Sequence, residues 1–120
     1  MSKIDDVFAR QFATEWIAAW NGHDQPRALS HYRDDFTMSS PRIVDIAGEP
    51  SGRLHGKPAV AAYWARALSL IPDLRFELLT TLVGADSVAL YYRNDRGRLA
   101  VEVCQFDACG LVTAAAAHYA

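Results

Sequence analysis

The sequence has no long apolar run, few cysteines and little net charge. No stretch of about 18 consecutive apolar residues occurs, so we expect no membrane-spanning segment. The formal net charge of −2 disfavours a nucleic-acid partner, since neutralising phosphates takes a basic surface. The first residues lack the apolar core of a secretory signal, which predicts a cytoplasmic protein. In that compartment Cys104 and Cys109 are expected to be reduced, and no neighbouring motif activates them as nucleophiles.

The motifs of metal and cofactor sites are also missing. His23, His31 and His55 show no metal-ligand spacing with one another or with carboxylates, so no metal site is predicted. Neither a phosphate-binding loop nor a dinucleotide fingerprint occurs, and we expect no cofactor. No linker, repeat or low-complexity segment divides the chain, which predicts a single domain over residues 1–120.

The first part of the chain is predicted to be helical. Apolar residues recur at helical spacing over residues 3–21, and Ser2 followed three residues later by Asp5 is typical of a helix start. Asp24 is a suitable cap for a second, short helix that reaches about Tyr32, with a proline in its first turn.

The middle of the chain is less regular. A short strand is predicted over residues 35–39, and the Pro/Gly-rich excursion over 41–58 could form either a hairpin or a lid. A third helix follows this excursion, with Tyr63 and Trp64 on its apolar face, and Pro72 ends it.

The last part of the chain is predicted to be sheet. Alternating apolar residues indicate strands over 74–82, 88–92, 99–106 and 111–119, separated by turns rich in Gly, Asn and Asp. Helices followed by such a meander predict an α+β fold, with three N-terminal helices packed on a curved antiparallel sheet.

Several segments, in their order and spacing, are similar to one family. They are Trp16-Ile-Ala-Ala-Trp20-Asn21, Tyr32-Arg33-Asp34-Asp35-Phe36, Gly56-Lys57-Pro58-Ala59-Val60 and Pro72-Asp73-Leu74-Arg75-Phe76. Over nearly the whole chain the sequence resembles the SnoaL-like bacterial members of the NTF2-like superfamily. The resemblance implies a strongly curved sheet that forms an NTF2-like cone around one pocket. The superfamily includes ketosteroid isomerases, polyketide cyclases, limonene-epoxide hydrolases and non-catalytic binding subunits.

The resemblance also allows specific activities to be compared. In the isomerase pattern, which runs without a gap from Tyr32 to Pro41, Ser40 stands where the proton-shuttling aspartate belongs, and a hydroxyl is too weak a base for that role. Trp16 replaces the oxyanion-hole tyrosine, whereas Glu102 matches the second oxyanion donor. Steroid isomerisation is therefore disfavoured. The epoxide hydrolases need two acids around an arginine, and we interpret Arg93-Asn94-Asp95 as a turn instead.

Glu102, His118 and, more weakly, Asp35 are the candidate catalytic residues. If Glu102 faces the pocket among apolar neighbours, burial would raise its pKa and suit it to acid–base work. The alternative is a structural carboxylate paired with Arg75, Arg93 or a tryptophan N–H. His118 could form a proton-transfer couple with an acid, or simply bind a carbonyl at the end of the sheet. Asp35 is more typical of a structural turn residue.

The predicted pocket and its partners complete the set of expectations. The pocket is expected to be lined by Trp16, Trp20, Met38, Ser40, Tyr63, Trp64, Cys104 and Phe106. Its ligand is expected to be small and largely apolar, either as the substrate of a cofactor-free enzyme or as the ligand of a non-catalytic binding or dimeric module. Leu99, Val101 and Val103 are apolar on the opposite face of their strand, which predicts a homodimer formed through the sheet.

Overall fold

Four helices and six strands make up the part of the chain that the computed structural model describes, residues 4–120. The helices are α1 (Asp6–Asn21), α2 (Gln25–Leu29), α3 (Pro41–Ile46) and α4 (Lys57–Leu70). The strands are β1 (Tyr32–Ser39), β2 (Arg53–His55), β3 (Glu77–Val83), β4 (Ser87–Arg93), β5 (Leu99–Phe106) and β6 (Val112–Tyr119). Within residues 4–120, no helix is both long enough and apolar enough to cross a membrane.

The first two helices form where the sequence predicts them, with shifted ends. Asp5 caps α1, its carboxylate accepting a hydrogen bond from the Phe8 backbone N–H at 2.8 Å, so the helix begins later than residue 3. Ser2 lies outside the described residues. Asp24 caps α2 as predicted, but α2 ends at Leu29, and Tyr32 opens β1 instead of closing the helix.

The excursion over residues 41–58 contains a helix that the sequence analysis did not predict. Ser40 caps α3 by accepting a hydrogen bond from the Arg42 N–H at 3.1 Å, and Pro41 occupies the first helical position. The chain then returns as β2, which pairs with β1. The return passes through Gly52, whose φ of +70° is readily adopted only by glycine. A Cβ at this position would also lie only 3.3 Å from the Ser40 carbonyl oxygen.

The six strands form one sheet in the order β2-β1-β6-β5-β4-β3. All neighbouring pairs are antiparallel except β1 and β6, which run parallel, so the expectation of an antiparallel sheet holds for four of the five pairs. Register shifts in the β1–β6, β3–β4 and β5–β6 pairs interrupt the ladders. Such bulges bend strands, and here the bent sheet wraps one face around the helices. The architecture is the predicted α+β cone, with four helices rather than three.

The residues of strand β5 alternate between the two faces of the sheet. Ala100, Glu102, Cys104 and Phe106 are buried on the concave face, which confirms the predicted alternation. The intervening Leu99, Val101 and Val103 are half-buried on the convex face. The concave side packs against α1 and α4, whose aromatic residues fill most of the cone.

Candidate functional site

A small cavity remains inside the cone, between the concave sheet and the helices. It leaves about 40 Å³ for the centres of water-sized atoms, which is room for a few water molecules at most. Five of the residues predicted to line a pocket do line it: Trp16, Trp20, Met38, Tyr63 and Trp64. All three tryptophans of the chain therefore border this cavity.

Glu102 supplies the carboxyl group of the cavity. It lies on the central strand β5, between Leu90 of β4 and Ala117 of β6, and is 4% exposed. Burial raises the pKa of Glu102 to about 8, and no ion pair or hydrogen bond from residues 4–120 opposes that shift. Arg93, one partner considered from the sequence, lies 3.6 Å from Glu77 instead. Glu102 is therefore mostly a neutral carboxylic acid at pH 7.

Three tyrosines surround Glu102 and are also neutral. Burial raises the pKa of Tyr63, the pKa of Tyr92 and the pKa of Tyr119, the last to about 12, and the nearby charge of ionised Glu102 raises all three further. Each phenol therefore keeps its proton throughout the physiological range. A neutral phenol or carboxylic acid can donate a hydrogen bond to a ligand oxygen.

Arg42 of α3 brings a positive charge to the wall of the cavity. Its guanidinium stands 4.7 Å from the centre of the Tyr119 ring and donates to Asp95 Oδ1 at 3.4 Å. This charge partly offsets the effect of burial on the phenols, because it lowers the pKa of Tyr63 and that of Tyr119. Asp95 thus holds α3 to the β4–β5 hairpin next to the cavity.

Together these groups give the cavity a definite chemical character. Each of its polar groups can donate a hydrogen bond at pH 7: the neutral acid of Glu102, the phenols and the guanidinium of Arg42. The remaining wall is aromatic or aliphatic. Such a wall favours an apolar molecule with an oxygen acceptor, because a donor left without a partner in a buried site costs free energy.

Three of the residues predicted to line the pocket are not part of the cavity wall. Ser40 is 4% exposed and caps α3, where its hydroxyl also lowers the pKa of Tyr63 and that of Tyr119. Cys104 is fully buried, and burial raises its thiol pKa well above the usual value. Phe106 packs edge-on against Phe12, with ring centres 4.9 Å apart. All three support the cone without bordering the cavity.

The other two catalytic candidates lie away from Glu102. His118 pairs in register with Val101 and is exposed on the convex face, whereas Glu102 points into the cone, so the predicted couple is not formed. Asp35 is exposed on β1, and its carboxylate accepts a hydrogen bond from the Arg33 Nε at 3.0 Å. The structure brings neither side chain to the cavity.

Six further residues line the cavity but were not predicted from the sequence to do so: Arg42, Ala67, Leu74, Phe76, Tyr92 and Tyr119. The alternation of Tyr92 with the buried Leu90 and Val88 on β4 could have placed it on the concave face. The sequence could not place Arg42 at the cavity, because its approach to the cavity depends on how α3 packs in the folded protein.

The interpretation of Arg93-Asn94-Asp95 as a turn is supported by the structure. The side-chain oxygen of Asn94 accepts hydrogen bonds from the Arg96 and Arg98 backbone N–H groups, each at 3.0 Å.

Comparison with known proteins agrees with this architecture. A family model described as the SnoaL-like domain matches residues 13–115. A SnoaL-like protein of unknown function from Burkholderia thailandensis shares 59% identity, with 99% of each chain covered and a TM-score of 0.95. An NTF2-like protein of unknown function from Burkholderia pseudomallei is 16% identical over 94% of this chain and 91% of its own, with a TM-score of 0.75.

One further structure has a described activity. The epoxide hydrolase/cyclase-like enzyme SalBIII, which acts in pyran ring formation in salinomycin, is 15% identical over 97% of this chain and 93% of its own, with a TM-score of 0.73. At that identity the likeness shows the fold alone. A comparison with curated proteins finds no match. The family match and the 59% identical structure show that the chain belongs to the SnoaL-like family.

Proposed function

We propose that this protein binds a small, largely apolar carbonyl compound in the cone. The neutral acid of Glu102 donates a hydrogen bond to the carbonyl oxygen, and the aromatic wall packs against the atoms next to the carbonyl group. The observation that carries this proposal is that Glu102 is buried without a partner from residues 4–120 and borders the cavity. A structural carboxylate would be expected to pair with an arginine or an N–H group.

The pH dependence of ketone binding tests this role of Glu102. Because the pKa of Glu102 is about 8, the affinity for 2-octanone should be constant from pH 6 to 7.5 and should fall above pH 8, as the donor becomes an anion. Binding can be followed by tryptophan fluorescence, since all three tryptophans border the cavity. Glu102→Gln retains a donor and should remove the pH dependence. Glu102→Leu has no donor and should weaken binding at pH 7 by up to about tenfold.

The matched control is Glu77→Gln, at an exposed carboxylate on β3. It should reproduce the wild-type profile. An affinity that does not change with pH in the wild-type protein, or equal affinities for wild type and Glu102→Leu, would contradict the proposal.

A second candidate function is carbon-acid proton transfer by the same residue. Glu102 in its ionised form would be an unusually strong carboxylate base beside phenol donors, able to take a proton from the carbon next to the carbonyl and return it. This activity has the opposite pH dependence. Deuterium exchange at that carbon would rise with pH through about 8 and would be absent in Glu102→Gln. Binding without exchange supports the non-catalytic function.

We also propose that the protein forms a homodimer through the convex face of the sheet. Val101 is half-buried there between Tyr91 and the exposed His118, and Val103 is half-buried between Ala89 and Ala116. Leu82 continues this apolar surface and is 59% exposed. Large apolar patches on a protein surface usually mark an interaction site.

Placing a charge in this surface tests the proposed dimer. Val101→Lys should convert a dimer of the wild-type protein into a monomer at micromolar concentration, because the lysine would be desolvated at the interface. Light scattering after size exclusion measures the mass. Val7→Lys, on the exposed face of α1, is the control and should remain dimeric. A wild-type protein that is monomeric at about 100 micromolar would disprove the dimer.

A further inference from the structure

We propose that the groove between α3 and α4 is the outer half of the ligand site, and that Tyr63 is the movable wall between this groove and the cavity inside the cone. The inference rests on the proposed function, since it concerns the same ligand. It assigns the carbonyl end of the ligand to the inner cavity and an apolar tail to the groove. The ligand class is accordingly an elongated carbonyl compound.

The groove lies on the outer side of α4. It is lined by Ala59 and Ala62 of α4, Ile46 of α3 and Leu54 of β2. Asp45 and Arg66 also line it. The groove has a volume of about 580 Å³, which is within the usual range of small-molecule sites.

The two spaces complement each other in size and polarity. The inner cavity, at about 40 Å³, can accept a carbonyl group but not a molecule of more than a few heavy atoms. The groove has the necessary volume, and it offers the aliphatic side chains of Ile46, Leu54 and Ala62 to a tail, beside the charged Asp45 and Arg66. A carbonyl compound of more than a few heavy atoms that reaches the inner donors must therefore extend out of the cavity.

Tyr63 is the residue that connects the two spaces. It borders both the cavity and the groove and is 6% exposed. Its position on α4 lies directly after Ala62 in the groove and directly before Trp64 in the cavity wall. Rotation of a side chain about its first torsion is a common response to a ligand and leaves the backbone in place. Such a rotation of Tyr63 would join the cavity to the groove.

The length of the ligand's tail provides the main test. In the series from 2-butanone to 2-decanone, each added methylene that enters the groove should tighten binding by about fourfold. Ala62→Phe fills the groove without altering the inner cavity and should flatten this dependence. Ala65→Phe is the matched control, because Ala65 is also exposed on α4 but does not border the groove. It should retain the wild-type slope. Equal slopes in the two variants would overturn the inference.

A second measurement examines Tyr63 itself. Tyr63→Ala removes the proposed wall and should raise the association rate of 2-octanone at least tenfold in stopped-flow fluorescence, while Tyr63→Phe, which keeps the ring, should not. If Tyr63→Ala does not fold, Tyr63→Leu provides the same comparison with a smaller loss of packing. An unchanged association rate in the folded variant would overturn the role of Tyr63.

The outcomes separate this inference from the proposed function. If no 2-alkanone binds, the proposed function fails, and the inference falls with it. If ketones bind with the expected dependence on Glu102, but Ala62→Phe behaves like Ala65→Phe, the groove is not part of the site while the proposed function stands.

Discussion

Glu102→Gln is expected to stabilise the protein by several kcal/mol above pH 8 and to change its stability little near pH 4.5. The pKa of Glu102 is about 8 in the folded protein, against 4.5 for the free side chain, because burial disfavours the charged form. The folded state therefore holds the proton more tightly than the unfolded state. Its stabilising effect is complete below pH 4.5 and is lost as the pH rises to about 8.

The size of the effect follows from this pKa difference. Between pH 4.5 and 8 the free energy of unfolding should decrease by on the order of 1 kcal/mol per pH unit through this group. Other carboxylates act in the opposite direction at low pH. Arg27 lowers the pKa of Glu15, for example, so a single wild-type curve would mix several contributions. The difference between wild type and Glu102→Gln isolates Glu102.

Urea unfolding of both proteins from pH 4.5 to 9 measures this difference. Glu77→Gln again serves as the control, since its carboxylate is 70% exposed and should contribute little. Parallel stability curves for wild type and Glu102→Gln would show that Glu102 has an ordinary pKa. They would also remove the main support for a neutral donor in the cavity.

Trp16→Ala is expected to lower the free energy of unfolding by about 3–5 kcal/mol. Trp16 is 2% exposed and stacks on Phe76 with ring centres 5.5 Å apart. Its ring also contacts Tyr92, at a centre distance of 5.3 Å. In addition, its Nε1–H donates to the Tyr32 hydroxyl at 3.2 Å, in a fully buried part of the cone. The substitution therefore removes aromatic packing and leaves the Tyr32 hydroxyl without this donor.

Urea unfolding at pH 6 gives the loss directly. Val7→Ala, on the same helix at a side chain that is 56% exposed, should cost less than about 0.5 kcal/mol. Trp16→Phe retains most of the ring packing but not the donor, and should fall between the two. A Trp16→Ala protein as stable as Val7→Ala would mean that α1 does not depend on this residue for its packing on the sheet.

The stability that the protein loses by burying the carboxyl group of Glu102 also bears on the role of this residue. A leucine or glutamine at this position of β5 would avoid the burial of an acid, so a carboxyl that lowers stability at neutral pH is consistent with a selected function. The 4% exposure of Glu102 and its place on the cavity wall give that function a location. The stability test and the binding test of Glu102 should therefore agree in sign above pH 8, where Glu102→Gln is expected to be more stable than wild type and also to bind the ketone more tightly.

The sequence alone determined the parts of this protein that follow from local patterns. Helical spacing placed α1 and α4, and period-two alternation placed β5 and put Glu102 on the same face as Cys104, whereas only the family resemblance implied that this face is the concave one. Helix α3 was not predicted, although Ser40 followed by Pro41 is typical of a helix start. A helix of six residues is too short to show a clear helical periodicity. The parallel pairing of β1 with β6 could not be predicted either, because the two strands are distant in the chain.

Only the tertiary structure decided which polar residues meet. Residues 114–117 are four consecutive alanines, so alternation could not show which face of β6 points inward. The pairing of Glu102 with Ala117 settles this and places His118 on the convex face, because neighbouring residues of a strand point to opposite sides. The volume of the cavity and the approach of Arg42 likewise depend on how α3 and α4 pack across the sheet. Such distances between remote segments are set by packing, which no local pattern encodes.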